Sequence, residues 1–120
     1  MDEINKTLGE IIRDKRIEKD LSLRDLAKLI SIAPSYLSDI ENDRRVPAEE
    51  IIRSIAQALD LDADDLMARG GRFGDEAERY LKKHPAAGIL LRRISTTRLS
   101  DDDLGKLLKE ANRLGHEREG

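Results

Sequence analysis

The chain has 120 residues and no cysteine, and its 22 Lys and Arg against 25 Asp and Glu give a formal net charge of -3. This length fits one domain with an appendage and excludes large multi-layer enzyme folds. Without cysteine there are no disulfides and no thiolate metal sites, and an acidic balance argues against a nucleic-acid partner if affinity follows net charge. One valine and three aromatic residues are few for strands, so an all-α protein is predicted.

Five short helices are predicted before a glycine-rich segment, on apolar residues at helical spacing and on start signals. They cover about 6–19, a stretch from 22, 34–42, 48–59 and a stretch from 62. Ser22 and Asp62 are typical N-caps, since each is followed three residues later by an aspartate that can complete a capping box. Pro34 and Pro47 are interpreted as first-turn prolines, where a missing amide loses no helical hydrogen bond.

Gly70, Gly71 and Gly74 mark the best boundary in the chain, because glycine ends helices and permits hinges. The predicted organisation is a five-helix domain over 1–69, a hinge over 70–74 and a helical extension over 75–120. Three helices are expected in that extension, at 75–83, 85–95 and 100–114. No leader or membrane-spanning run is visible, so we expect a soluble, cytoplasmic protein without a membrane partner.

The third predicted helix has two different faces. Ser35, Ser38, Asp39 and Asn42 follow each other at i, i+3, i+4 and i+7, while Leu37 and Ile40 lie opposite. A short helix with small polar side chains, joined by a three-residue turn to a capped helix, has the pattern of a helix-turn-helix. Spacing alone favours an ordinary solvated helix of a small bundle equally well.

The sequence resembles the Xre/Cro-type helix-turn-helix regulators over about residues 6–68. The matching runs are LRDLAKLI at 23–30, SIAPSYLSDIE at 31–41, VP at 46–47 and IAQAL at 55–59. The resemblance implies a five-helix domain whose third helix reads the major groove of double-stranded DNA. It also implies a structural ion pair between Arg16 and Glu41, with Pro34, Ser35 and Asp39 at base-reading positions.

Further positions are assigned by the same resemblance to the DNA backbone or to the edges of the reading helix. The residues expected at DNA are Ser22, Arg24, Lys28, Pro34, Ser35, Tyr36, Ser38, Asp39, Asn42, Arg44 and Arg45. Asp20, Ser31 and Asp43 stand where the family often has glycine, and Ala33 stands where a capping hydroxyl is usual. These departures leave the geometry of the turns open.

The extension holds more leucine and isoleucine than a three-helix piece of its size can bury, so we predict a homodimer through it. Packing of these residues against 48–68 is the alternative. With the run from Ser35 to Glu41, and LRRI at 91–94 followed by a polar stretch and a last helix, the layout also resembles the Deinococcus-type DNA-damage-response repressor, which a metallopeptidase partner cleaves. That resemblance implies cleavage within an exposed connection, Ser95 to Arg98.

The function that fits best is a dimeric repressor of a two-fold operator, without enzymatic activity, cofactor or metal. An antitoxin, partnered by a toxin, or an interaction module with the same fold is the alternative. His84 and His116 are interpreted as surface residues, because neither has a second ligand at helical spacing. Residues 1–70 carry 11 Lys and Arg against 16 Asp and Glu, so we expect binding that depends on a few cations and on dimerisation.

Overall fold

The computed structural model describes residues 3–119, and every regular element in this range is helical, which confirms the predicted all-α class. A short 3-10 turn at Glu3–Asn5 precedes eight α-helices. These are α1 (Leu8–Glu18), α2 (Leu23–Leu29), α3 (Pro34–Glu41), α4 (Glu49–Leu59), α5 (Ala63–Arg69), α6 (Gly74–Lys83), α7 (Pro85–Thr97) and α8 (Asp101–Glu119).

The chain divides into two compact units. One spans residues 6–74 and contains α1 to α5, and the other combines 75–119 with the short turn at 3–5. Within the described residues, no helix has the length and apolar character that crossing a membrane requires.

The predicted helix starts at Ser22 and Asp62 are confirmed by hydrogen bonds at the N-caps. The Ser22 hydroxyl accepts from the Asp25 amide, and the Asp25 carboxylate accepts from the Ser22 amide, each at 3.0 Å. The Asp62 carboxylate accepts from the backbone amides of Asp64 and Asp65 in the first turn of α5. Thr7 and Glu10 form a further capping box at α1 that the sequence analysis did not single out, although the pattern T-x-x-E announces it.

Three boundaries differ from the prediction. Pro47 does not lie in the first turn of α4, which begins at Glu49, because the proline ring is fully buried and packs in the core ahead of the helix. Helix α7 continues to Thr97, where the hydroxyls of Ser95 and Thr97 donate to backbone carbonyls four residues earlier at 2.9 and 2.7 Å. Helix α8 continues to Glu119, so His116 lies in a helix.

The core of unit 6–74 is built from apolar side chains of all five helices. Its fully buried large members are Ile12, Leu26, Leu37, Ile40, Ile52, Ile55, Leu59 and Leu66, with the ring of Pro47. Burying one such side chain stabilises the fold by about 1.5–3 kcal/mol. Since each helix contributes to one shared cluster, the position of α3 is set by packing from several directions.

Helices α1 to α5 all end in the same kind of turn. A residue with positive φ follows each helix, one position beyond α4 and two positions beyond the other four, and the next amide donates to a carbonyl five residues earlier, as in a Schellman motif. The residues with positive φ are Asp20, Ser31, Asp43, Asp60 and Gly71. Three of these are the positions where the family often has glycine, so this chain keeps the turns while using side chains that tolerate the left-handed region less well.

Candidate nucleic-acid interface

Helices α2 and α3 and the turn between them form a helix-turn-helix. The turn closes where the Ile32 amide donates to the Ala27 carbonyl at 3.0 Å, with Ser31 at φ 59°. Helix α3 then begins at Pro34, and its N-cap Ala33 makes no side-chain hydrogen bond, as expected. Both helices anchor in the core, α2 through Leu26 and α3 through Leu37, so their relative orientation is fixed by burial.

The polar face of α3 remains accessible while its apolar face packs. Leu37 and Ile40 are fully buried, Ser35 and Asn42 are exposed, and Asp39 is half-buried. Ser38, the remaining member of the polar stripe, is also half-buried. The arrangement presents hydroxyl, carboxylate and amide groups on one side of a short helix, which is the chemistry that reads base edges in the major groove.

The C-terminal end of α3 is held by an ion pair with α1. Arg16 donates from Nε to Glu41 Oε2 at 2.7 Å and from Nη2 to Glu41 Oε1 at 3.0 Å, so the contact is bidentate. Its Nη1 donates to the Leu21 carbonyl at 2.9 Å. Glu41 is 3% exposed, and the hydrogen bonds to this carboxylate raise the pKa of Arg16. The pair therefore sits in the position that the resemblance implied and is buried away from any base.

A close backbone approach brings α1 against the end of α3. A Cβ on Gly9 would lie 2.4 Å from the Glu41 carbonyl oxygen and 2.6 Å from that of Ile40. Asp43, just past α3, accepts from the Gly9 amide at 3.0 Å and from the Thr7 hydroxyl at 2.6 Å. Asp43 thus ties the turn after α3 to the first turn of α1, a role that its sequence position did not suggest.

The two loop arginines lie beside α3. Arg44 Nη1 is 3.4 Å from Asp39 Oδ1, and the Arg45 guanidinium stacks over the Tyr36 ring at 4.7 Å from its centroid. Both arginines are exposed, so their charges are available to a polyanion. The cation–π contact orients Arg45 without neutralising it, whereas the contact with Asp39 offsets part of the charge of Arg44.

Other predicted DNA residues lie at the start of α2. Ser22 forms its cap, and Arg24 and Lys28 are exposed on that helix at i and i+4, so they share one face. The amino end of a capped helix also carries partial positive charge, which favours a phosphate. The structure therefore displays cations on α2 and on the loop after α3, which belong to the same compact unit.

Two further arginines, Arg13 and Arg72, support this region, and neither is among the residues that the sequence predicts at DNA. Arg13 Nη2 donates to Asn42 Oδ1 at 2.7 Å. Arg72 donates to the carbonyls of Val46 and Pro47 at 3.2 and 3.3 Å, next to the loop arginines. Helical spacing could have flagged Arg13, which lies one turn before Arg16 on α1, but nothing local announces a contact between Arg72 and a loop 25 residues away.

Comparison with known proteins agrees with this geometry. Residues 12–66 match the helix-turn-helix family. The ImmF control region 10 kDa protein of Bacillus phage phi105 is 43% identical over 61 residues, which is 51% of this chain and 68% of that protein. The HTH-type transcriptional regulator DdrOP3 of Deinococcus deserti is 35% identical over 69 residues, 58% of this chain and 54% of that protein.

Among solved structures, a SinR protein/SinI protein complex superposes with a TM-score of 0.50 at 24% identity, over 92% of this chain and 99% of that chain, which shows a shared fold. The fold and the polar face of α3 define a helix-turn-helix protein. The chain belongs to the helix-turn-helix family of Xre/Cro-type DNA-binding transcriptional regulators.

Proposed function

We propose that this chain is a dimeric repressor that places α3 in the major groove at each half of a two-fold operator. The observation that carries the proposal is the accessible polar face of α3, held over a packed core and flanked by Arg44 and Arg45. Ser35 and Asp39 read base edges, and an ionised Asp39 can only accept, which favours cytosine N4 or a water bridge. We also infer that it acts in the cytoplasm, by binding rather than by catalysis.

The backbone contacts of this proposal come from five side chains. Arg24, Lys28, Arg44 and Arg45 neutralise phosphates, and Asn42 donates to one. Four cations in each protomer of a dimer give a slope of log K against log salt of about -7. Binding by an interaction module or an antitoxin without its own operator gives a much shallower slope and no sequence preference.

The experiment starts with a duplex enriched by the full chain from a random-sequence pool. Fluorescence anisotropy then measures its affinity and that of a scrambled duplex across a salt series. A steep slope with a clear preference for the enriched duplex supports the proposal, and weak, sequence-blind binding contradicts it. Arg44→Gln with Arg45→Gln lowers both affinity and slope, whereas the matched pair Lys15→Gln with Arg53→Gln leaves them unchanged, because these two cations pair with glutamates on α1 and α4.

The dimer is proposed to form through α6 to α8, the three helices of the extension that follows the hinge. No residue of α6 or α7 is buried, and half or more of the side-chain surface of Ile89, Leu90 and Leu91 is exposed. Helix α8 adds a stripe with helical spacing, at Leu104, Leu107, Leu108, Ala111 and Leu114. So much apolar surface on one chain is typical of a face that another molecule covers, and a symmetric operator supports a second copy.

Sedimentation tests this dimer directly. A chain ending after Gly74 keeps the contacts of unit 6–74 and should sediment as a monomer. A full-length Leu107→Glu, Leu114→Glu variant should do the same, because a carboxylate in an apolar interface is strongly unfavourable. An unchanged dimer in either variant contradicts the proposal.

We propose a regulatory peptidase or a toxin as a further partner, and we move the expected cleavage position beyond the end of α7. Ser95 to Thr97 form the last turn of α7, and only Arg98, Leu99 and Ser100 lie between the helices. Proteases take substrates in extended form, so we expect cleavage in 98–100 rather than at 95–97. Mass spectrometry after incubation with a candidate metallopeptidase locates the cut, and an intact chain contradicts this part of the proposal.

A further inference from the structure

The junction between α1 and the end of α3 contains a second arginine, Arg13, beside the Arg16–Glu41 pair. Arg16 already satisfies both oxygens of Glu41. Arg13 lies one turn earlier, and its Nε is 3.6 Å from Glu41 Oε1, which is too long for a hydrogen bond. Its Nη2 donates instead to Asn42 Oδ1 at 2.7 Å. The Arg13 side chain is 43% exposed, so this contact lies at the edge of the DNA-facing region.

We propose that Arg13 is a positioning residue for DNA binding, which sets the orientation of the Asn42 side-chain amide toward a phosphate. The inference rests on the proposed function, in which Asn42 donates to the DNA backbone. Asn42 is exposed at the C-cap of α3, so hydrogen bonds rather than burial determine which end of its amide faces outward.

The hydrogen bonds of Asn42 show how the orientation is set. Its Oδ1 accepts from Arg13, and its Nδ2 donates to the Ser38 carbonyl at 2.8 Å. The second Nδ2 contact, to the Ser38 hydroxyl, is long at 3.4 Å and exchanges readily for a phosphate oxygen. A flipped amide would point Oδ1, which can only accept, at the Ser38 carbonyl and lose the bond to Arg13.

Charge supports the same assignment. Glu41 is one buried carboxylate between two arginines, so the cluster of Arg13, Arg16 and Glu41 has a net charge of +1 beside Asn42. A positive cluster next to an amide donor attracts a phosphate, and Glu41 keeps Arg13 from swinging away. Arg13 therefore makes an ion pair with Glu41 through its Nε and a hydrogen bond to Asn42 through its Nη2.

A double-mutant cycle on DNA affinity tests the inference, with the full chain and the duplex that the wild-type chain enriches from a random-sequence pool. Arg13→Gln and Asn42→Ala should each weaken binding about tenfold, the usual effect of one charge-assisted hydrogen bond. The double variant should also bind about tenfold more weakly, since the two residues act as one unit. Lys15→Gln is the matched control, because it removes the same charge from α1 where Lys15 pairs with Glu18.

Two readouts separate positioning from a general structural role. The melting temperatures of the variants should stay within a few degrees of wild type, and the side-chain amide resonances of Asn42 in the free protein should shift in Arg13→Gln but not in Lys15→Gln. If Arg13→Gln unfolds the unit, Arg13→Lys replaces it in the cycle, since it keeps a cation beside Glu41 without the guanidinium fork.

Each outcome decides the inference. Coupled losses with an altered Asn42 resonance support it. Additive losses, about a hundredfold in the double variant, mean that Arg13 contacts DNA independently of Asn42 and overturn it. Unchanged affinity in Arg13→Gln, with normal operator binding by wild type, overturns the inference alone. Failure of the wild-type chain to enrich any duplex overturns the proposed function and the inference with it.

Discussion

Replacing Gly9 with alanine tests the contact that holds α1 against α3. The new Cβ would meet two backbone carbonyl oxygens, of Glu41 at 2.4 Å and Ile40 at 2.6 Å, and the Asp43 carboxylate at 2.8 Å. Two of these three atoms belong to the backbone and cannot rotate away. The first turn of α1 must therefore move away from α3 by about 0.6 Å or more, in a close-packed interior that resists such a shift.

The expected loss of stability follows from three contributions. Overpacking of this kind costs roughly 1–3 kcal/mol. The hydrogen bond from the Gly9 amide to Asp43, 3.0 Å long, is stretched or lost at a further cost of about 1 kcal/mol. Alanine's helix propensity returns at most about 1 kcal/mol. The free energy of unfolding should fall by about 1–3 kcal/mol, which lowers the melting temperature by roughly 5–15 °C for a unit of this size.

Thermal and urea unfolding of the full chain, followed by circular dichroism, measure this change. Gly105→Ala is the matched control, because Gly105 lies inside α8 with nothing within 4 Å of its added Cβ. That variant should gain helix stability, by about 0.5–1 kcal/mol. A Gly9→Ala protein as stable as wild type, or more stable, would refute the close approach of α1 and α3, because the helix propensity of alanine would then be the main effect of the substitution on stability.

Three further perturbations, the first with a control, probe the same unit. Glu41→Gln removes the buried carboxylate that pairs with the partly buried Arg16 and should cost about 3 kcal/mol in urea unfolding, whereas Asp60→Asn, in an exposed pair, should change the stability little. Ala33→Ser supplies the missing cap of α3 and should raise stability by about 0.5–1 kcal/mol, unless the N-cap geometry is wrong. Hydrogen bonds with Ser22 lower the pKa of Asp25, and the bond from the Ser22 backbone amide has the larger effect. The contribution of Asp25 to the free energy of unfolding is therefore present above the pKa of the unfolded chain, about 3.9, and is lost as pH falls through the lower pKa of the folded chain. The stability gap between wild type and Asp25→Asn should close below pH 4, and a constant gap would contradict the assignment.

Local signals predicted the helices well because they depend on neighbouring residues. Ser22, Asp62 and Pro34 each mark a helix start through an interaction that spans a single turn. Pro47 was misplaced for the same reason. A proline is compatible with the first turn or with the extended residue before it, and only burial of its ring against the core decides between them.

Part of the candidate site could also be predicted from the sequence, and part could not. The polar stripe of α3 is visible in the sequence, because i, i+3, i+4 and i+7 spacing puts Ser35 and Asp39 on one face. The contacts that position it are not visible, because Arg13, Asp43 and Arg72 act on residues 25 or more positions away. No periodicity links such pairs, so their roles appear only when the chain is folded.

The acidic composition of the chain thus has a different meaning once the tertiary structure is known. The sequence by itself determined an all-α chain, its helix starts and the two faces of α3, because each follows from short-range spacing. The tertiary structure decided which charges are available: Glu41 is buried between arginines and Asp43 is bound to α1, while Arg44 and Arg45 remain exposed. Net charge counts all of these equally, whereas a phosphate backbone meets only those that packing leaves at the surface.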